Sequence, residues 1–100
     1  MVTLETLKQD LPGICKPHRI AYIDAYGSIA RNEQTEESDI DLLVEFMEPR
    51  TQSISKRFFG LLHDLEDKYQ MKIDLLTEKS LQNPYLIESI SRDRTRVYGE

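Results

Sequence analysis

Two aspartates one residue apart, Asp39 and Asp41, stand at the head of an apolar run that continues Leu42-Leu43-Val44-Glu45-Phe46. A β-strand turns successive side chains to opposite faces, so in a strand these two carboxylates point the same way. At an effective dielectric near 20, two such charges about 4 Å apart cost roughly 4 kcal/mol. A divalent cation between them removes that cost, and a donor set made only of oxygens suits Mg²⁺ or Mn²⁺ better than zinc. Upstream, the apolar run Ile20 to Tyr26 leads into Gly27-Ser28. A turn of this kind offers backbone N–H groups and a hydroxyl to phosphate. Carboxylates for a metal, next to a turn for phosphate, point to chemistry on a nucleoside triphosphate.

The rest of the chain sets bounds on that reading. One hundred residues, 39% of them apolar, are expected to make a single domain (1–100) with one core. A net charge of −5 argues against a broad nucleic-acid surface. Cys15 is the only cysteine, so neither an intrachain disulfide nor a cysteine zinc cluster is expected. No basic start followed by a long apolar run suggests a signal peptide, and no run reaches the length of a membrane span. A reducing cytoplasm is the natural expectation.

The order of elements follows from periodicity. Val2, Leu4, Leu7 and Leu11 outline a weakly amphipathic helix, which Pro12-Gly13 should stop. Ile20 to Tyr26 reads as a strand, entered from a Lys16-Pro17-His18 loop. Ser28 to Arg31 suits a short helical turn, and Asn32 to Ser38 an exposed polar loop. Ile40 to Phe46 is a second strand, ended by Glu48-Pro49. Ser53 caps a helix whose apolar residues Ile54, Phe58, Leu61, Leu62, Leu65 and Tyr69 repeat at helical spacing. Lys72 to Leu76 is a third strand, and a last helix begins near Pro84. The expected class is α+β, with helices packed on a small sheet.

The run from Gly27 to Leu42 resembles the signature of the minimal nucleotidyltransferases, a branch of the DNA polymerase β-like nucleotidyltransferases. That signature is Gly-Ser-x-Ala-Arg, six residues, then Ser-Asp-x-Asp-Leu. Gly27, Ser28, Ala30, Arg31, Ser38, Asp39, Asp41 and Leu42 fall in its register. Lys72 to Thr77 is similar to the strand that carries the family's third carboxylate, which maps to Asp74. Asn83-Pro84-Tyr85-Leu86 is similar to the start of its last helix. The chain departs from the common pattern at Asn32, where glycine is usual, and at Tyr26, where leucine or phenylalanine is common. Asn tolerates a left-handed backbone, so the turn should survive.

The resemblance implies a mixed sheet in a nucleotidyltransferase fold. It implies Mg²⁺ or Mn²⁺ held by Asp39, Asp41 and Asp74, and ATP as substrate. Gly27 and Ser28 would grip the phosphates, with Arg31 and Ser38 beside them, and Asp74 would take the proton from the attacking hydroxyl. It also implies a partner. Members of this family act as antitoxins to HEPN-type RNase toxins and transfer AMP to a toxin tyrosine. Two other readings stay open: a non-catalytic antitoxin that covers its partner, and a transferase acting on a small molecule. A homo-oligomer stays open as well.

Each residue also has a plain structural reading. Asp39 can cap a turn and Asp41 can be an edge-strand charge. Asp74, flanked by Ile73 and Leu75, is a poor solvated carboxylate and could pair with Lys72 or an arginine. Gly27 can be a simple turn glycine and Ser28 an N-cap. Arg31 can meet phosphate or hold Glu33 or Glu36. His18 and His63 have no partner at ligand or triad spacing. Asp24 is expected at a sheet face touching solvent or a partner. Arg92, Arg94 and Arg96 are expected in a solvated, frayed tail.

Overall fold

The structure, a computed structural model, describes residues 2–35, 37–47 and 54–99. It contains helix α1 (Leu4–Cys15), strand β1 (Ile20–Tyr26), strand β2 (Ile40–Phe46), helix α2 (Ile54–Tyr69), strand β3 (Ile73–Thr77), helix α3 (Pro84–Asp93) and strand β4 (Thr95–Tyr98). Short 3₁₀ turns cover Lys16–His18 and Glu78–Ser80. The expected Glu48-Pro49 strand end and Ser53 cap lie outside the described residues.

The four strands form one mixed sheet in the order β3-β2-β1-β4. β2 and β3 are parallel, and the α2 crossover between them supplies the length that a parallel connection needs. β1 runs antiparallel to both of its neighbours. Strand alternation then assigns the two faces. Ile23, Ala25, Leu42, Val44, Ile73 and Leu75 meet Leu7, Leu11 and Cys15 of α1 and Leu61 and Leu65 of α2 in the main core. Tyr26 and Leu43 point the other way and pack with Ile90 of α3. The sheet thus has two helices on one face and α3 on part of the other. The uncovered remainder of that second face carries the polar side chains of β2 and β3.

Two expectations fail. α1 does not stop at Pro12-Gly13 but continues to Cys15. Pro12 removes an N–H that would bond to Lys8, yet Pro12 and Gly13 both lie on the exposed side. Leu7, Leu11 and Cys15, each fully buried, form a stripe at spacings of four, and that packing holds the helix through the proline. Burial also pushes the Cys15 thiol up to about 12, which keeps it protonated and unreactive.

The tail is not frayed either. It folds back as β4, where Asp24 pairs with Arg96 and Ala25 with Thr95. Asp24 is 2% exposed rather than on an open face. Its two oxygens accept from Arg94 Nε and Arg96 Nε. Arg94 also donates to Glu78, and the Arg96 guanidinium stacks 4.0 Å from the centre of the Tyr22 ring. Alternating charges in the tail read as solvated because their buried partner lies 70 residues away in sequence.

Candidate active site

The turn after β1 is built around a left-handed glycine. Gly27 has φ +71°, and a Cβ placed on it would lie 2.5 Å from Asp41 Oδ2. Glycine is therefore required twice, once for its backbone and once because the Asp41 carboxylate lies against it. After Gly27 the chain closes on itself. Arg31 N–H donates to Gly27 O (3.2 Å), Asn32 N–H to Ile29 O (3.2 Å), and Glu33 N–H to Ser28 O (2.9 Å). Asn32 has φ +59°, the left-handed backbone expected of it. Ile29 is 1% exposed and anchors the turn in the core.

The carboxylates come from adjacent strands. Asp41 faces Tyr26 across the β1–β2 pair and Asp74 across the β2–β3 pair. Tyr26, Asp41 and Asp74 therefore form one row across the sheet, on the face that α3 leaves open. Asp74 is exposed, and Lys72, its suggested partner, lies instead 3.7 Å from Asp39. Asp41 shows the strain of the arrangement. Burial first, then the charges of Asp74 and Asp39, push it up to about 6, with Arg31 opposing. Excess negative charge with oxygen-only donors fits a hard divalent cation. Even so, no cluster of three or more His, Cys, Asp or Glu is gathered within ligating reach among the described residues. Asp41 and Asp74 are brought together, while Asp39 leans toward Lys72.

Arg31 reaches neither carboxylate of that pair directly. Its Nε donates to Glu33 (3.0 Å) and its Nη1 to Asp93 at the end of α3 (2.6 Å). The Asp93 bond is the main cause that raises its pKa. Ser38 is engaged locally, its Oγ accepting from Thr35 N–H at 2.9 Å. His18, read from sequence as partnerless, has its Nε2 2.6 Å from Asp64 Oδ2 on α2. Forty-six residues separate the two, so no spacing rule could reveal the pair. His63 is exposed, as expected. Sequence reasoning passed over Asp93 as part of the site and left the Tyr26 hydroxyl either solvent-facing or near the nucleotide. The alternation that aligned Asp39 with Asp41 says nothing about which β1 residue lies opposite.

A mixed sheet with a glycine turn pressed against a strand-borne aspartate, and a second aspartate on the next strand, is the arrangement that the nucleotidyltransferase resemblance leads one to expect. The chain belongs to the nucleotidyltransferase domain family, whose model matches residues 4–97. It is 46% identical over 76 residues, 76% of its own length and 75% of the relative's, to a Methanocaldococcus jannaschii chain provisionally named a protein adenylyltransferase. A solved structure described as a minimal nucleotidyltransferase matches it with TM-score 0.62 and 32% identity, covering 93% of this chain and 94% of the other. At 14% identity, a chain of the complex between a tri-AMPylated Shewanella oneidensis HEPN toxin and its MNT antitoxin shares the fold. Its TM-score is 0.62, over 98% of this chain and 74% of that one.

Proposed function

We propose that residues 1–100 act as one minimal nucleotidyltransferase domain that transfers AMP from ATP to a tyrosine of a HEPN-type RNase toxin and so serves as its antitoxin. The observation that carries this reading is the Gly27 turn against Asp41, with Asp74 alongside in the same row. The names of the M. jannaschii relative and of the S. oneidensis complex support protein as the acceptor and AMP as the group transferred. No helix among the described residues is long and apolar enough to cross a membrane. A cytoplasmic site of action is part of the proposal.

Asp39, Asp41 and Asp74 are the residues that would hold Mg²⁺ or Mn²⁺. Bound there, the ion would supply charge neutralisation for the triphosphate oxygens. The chain's own groups do the rest. The backbone N–H groups that follow Gly27 and the Ser28 hydroxyl bind and orient phosphate. Arg31, held by Asp93, adds positive potential beside the turn. Ser38 holds the loop that leads into Asp39. Asp74, the most exposed carboxylate of the row, receives the proton of the incoming tyrosine hydroxyl. That oxygen then bonds to the α-phosphorus and pyrophosphate leaves.

A second reading, an antitoxin that acts by covering its partner, is favoured by one feature. Tyr85, Leu86 and Ile87 are 83%, 41% and 40% exposed, an apolar surface in the first turn of α3, the helix whose far end carries Asp93. One substitution separates the two. The chain and its Asp74→Asn variant are each mixed with a HEPN-type RNase toxin, ATP and Mg²⁺. The partner's intact mass and RNase activity are then measured. Transfer predicts one or more added adenylyl groups with the parent chain and none with the variant, with RNase activity lost only in the first case. Loss of RNase activity in both mixtures, with the partner unmodified, would favour covering.

A further inference from the structure

Tyr26 is the one uncharged polar member of the Tyr26–Asp41–Asp74 row. Its residue is 7% exposed, with the ring packed among Leu43, Ile90, Leu76 and Leu81. The ring is enclosed, but the hydroxyl reaches the open face: among the described residues the fully enclosed polar atom without a partner is Gln34 Oε1, and the Tyr26 hydroxyl has no protein partner there. Asp41 and Asp74 flank it in the row, and a tyrosine hydroxyl is an O–H donor at neutral pH. Neither carboxylate accepts from it. The ring is thus held by the Leu43 and Ile90 cluster, and an unspent donor stands in the row of the carboxylate pair, on the residue just before the turn that offers N–H groups.

We propose that the Tyr26 hydroxyl contacts the substrate, donating a hydrogen bond to a phosphate oxygen of the nucleoside triphosphate held between the Gly27-Ser28 turn and the Asp41–Asp74 pair. The inference rests on the nucleotidyltransferase reading of that site and adds a residue to it. Phosphate is the group that fits. A donor surrounded by acceptors needs an acceptor ligand, and the ligand that carries counter-cations to two carboxylates is an anion. A hydrogen bond to a charged oxygen is commonly worth tenfold or more in affinity. The aromatic ring holds the hydroxyl with only two torsions free, so the contact needs little ordering on binding.

The test uses the full chain and calorimetric titration with two probes, Mg-ATP and inorganic Mg-triphosphate. Tyr26→Phe keeps the ring and removes only the oxygen. It should weaken both probes by roughly tenfold and leave the melting temperature of the free chain unchanged. Tyr26→Leu should weaken them to the same degree as Phe. Equal affinity of parent and Tyr26→Phe for both probes overturns the proposal. So does a loss seen with Leu but not with Phe, which would make the ring and not the hydroxyl responsible. A loss for Mg-ATP with none for Mg-triphosphate also overturns it, because the contact would then lie on the nucleoside. AMP transfer is read in parallel. Transfer by the parent with unchanged binding in Tyr26→Phe sinks this inference and leaves nucleotidyl transfer standing. Tenfold weaker binding in Tyr26→Phe, with no transfer by the parent to any acceptor, does the reverse.

Discussion

Gly27 and Asp41 are read best as a single device. The backbone bends left-handed at Gly27 so that Asp41 can lie against it, and any side chain there must displace the carboxylate. Gly27→Ala should therefore cost about 1–2 kcal/mol from its backbone conformation alone. It should also damage Mg-ATP binding more than Ser28→Ala, which removes one hydrogen bond worth about 1.5–3 kcal/mol to a charged ligand. Urea unfolding and nucleotide titration of the two variants check the order.

Asp41 also makes a pH prediction. Its folded pKa, about 6, lies above its ordinary 3.8, so the folded chain binds this proton more tightly than the unfolded chain. The stabilisation it gives is full below about 3.8 and is lost as pH rises through about 6. Asp41→Asn removes the effect. Without metal, the variant should gain on the parent chain at pH 7 and lose most of that advantage by pH 4.5. Urea midpoints of both proteins at the two pH values measure the crossover. A gap that does not change with pH would mean Asp41 titrates normally.

At the level of elements, β4 is held to β1 by an ion cluster rather than by length. The strand has four residues, and Asp24 accepts from two of its neighbourhood's arginines while 3% of its side chain is exposed. Removing one member of such a buried set leaves uncompensated charge, which typically costs about 3–5 kcal/mol. Asp24→Ala should fall below that figure in urea unfolding, because the arginines it leaves are 28% and 37% exposed and Arg94 keeps Glu78. Arg92→Ala, an exposed helix pair with Glu88, should change stability by well under 1 kcal/mol. The same contrast explains α1. Local rules would end it at Pro12, but the stripe Leu7, Leu11 and Cys15 belongs to the main core and outweighs the missing hydrogen bond.

At the scale of the whole molecule, the site gathers residues spread from Tyr26 to Asp93. The turn after β1, the heads of β2 and β3, and Asp93 at the end of α3 meet on one open face of the sheet. A ligand that binds there binds only the folded state. Mg-ATP at a hundred times its dissociation constant should add about 2.7 kcal/mol of stability. For a domain of this size that is a rise in melting temperature on the order of 10 °C. The double variant Asp39→Asn/Asp41→Asn should lose this rise while remaining folded without metal. A rise of equal size in the variant would place the nucleotide elsewhere.

How much of this was legible beforehand depends on the range over which each contact acts. Strands β1, β2 and β3, the helices α2 and α3, the Gly27-Ser28 turn, the left-handed Asn32 and the shared direction of Asp39 and Asp41 are all encoded within a few residues. Periodicity and turn chemistry expose them, and the family was indicated by the resemblance that the residues from Gly27 to Leu42 carry. What only the tertiary structure decided is the pairing of groups distant in sequence. It set Tyr26 beside Asp41 and Asp41 beside Asp74, drew Arg31 to Asp93 and Asp39 toward Lys72, and joined His18 to Asp64. It carried α1 through a proline and turned a charged tail into β4 over a buried Asp24. The physical reason is the same in each case. Local preferences amount to about 1 kcal/mol per residue, while burying an apolar stripe or pairing a desolvated charge is worth several, and sequence spacing carries no record of such partners.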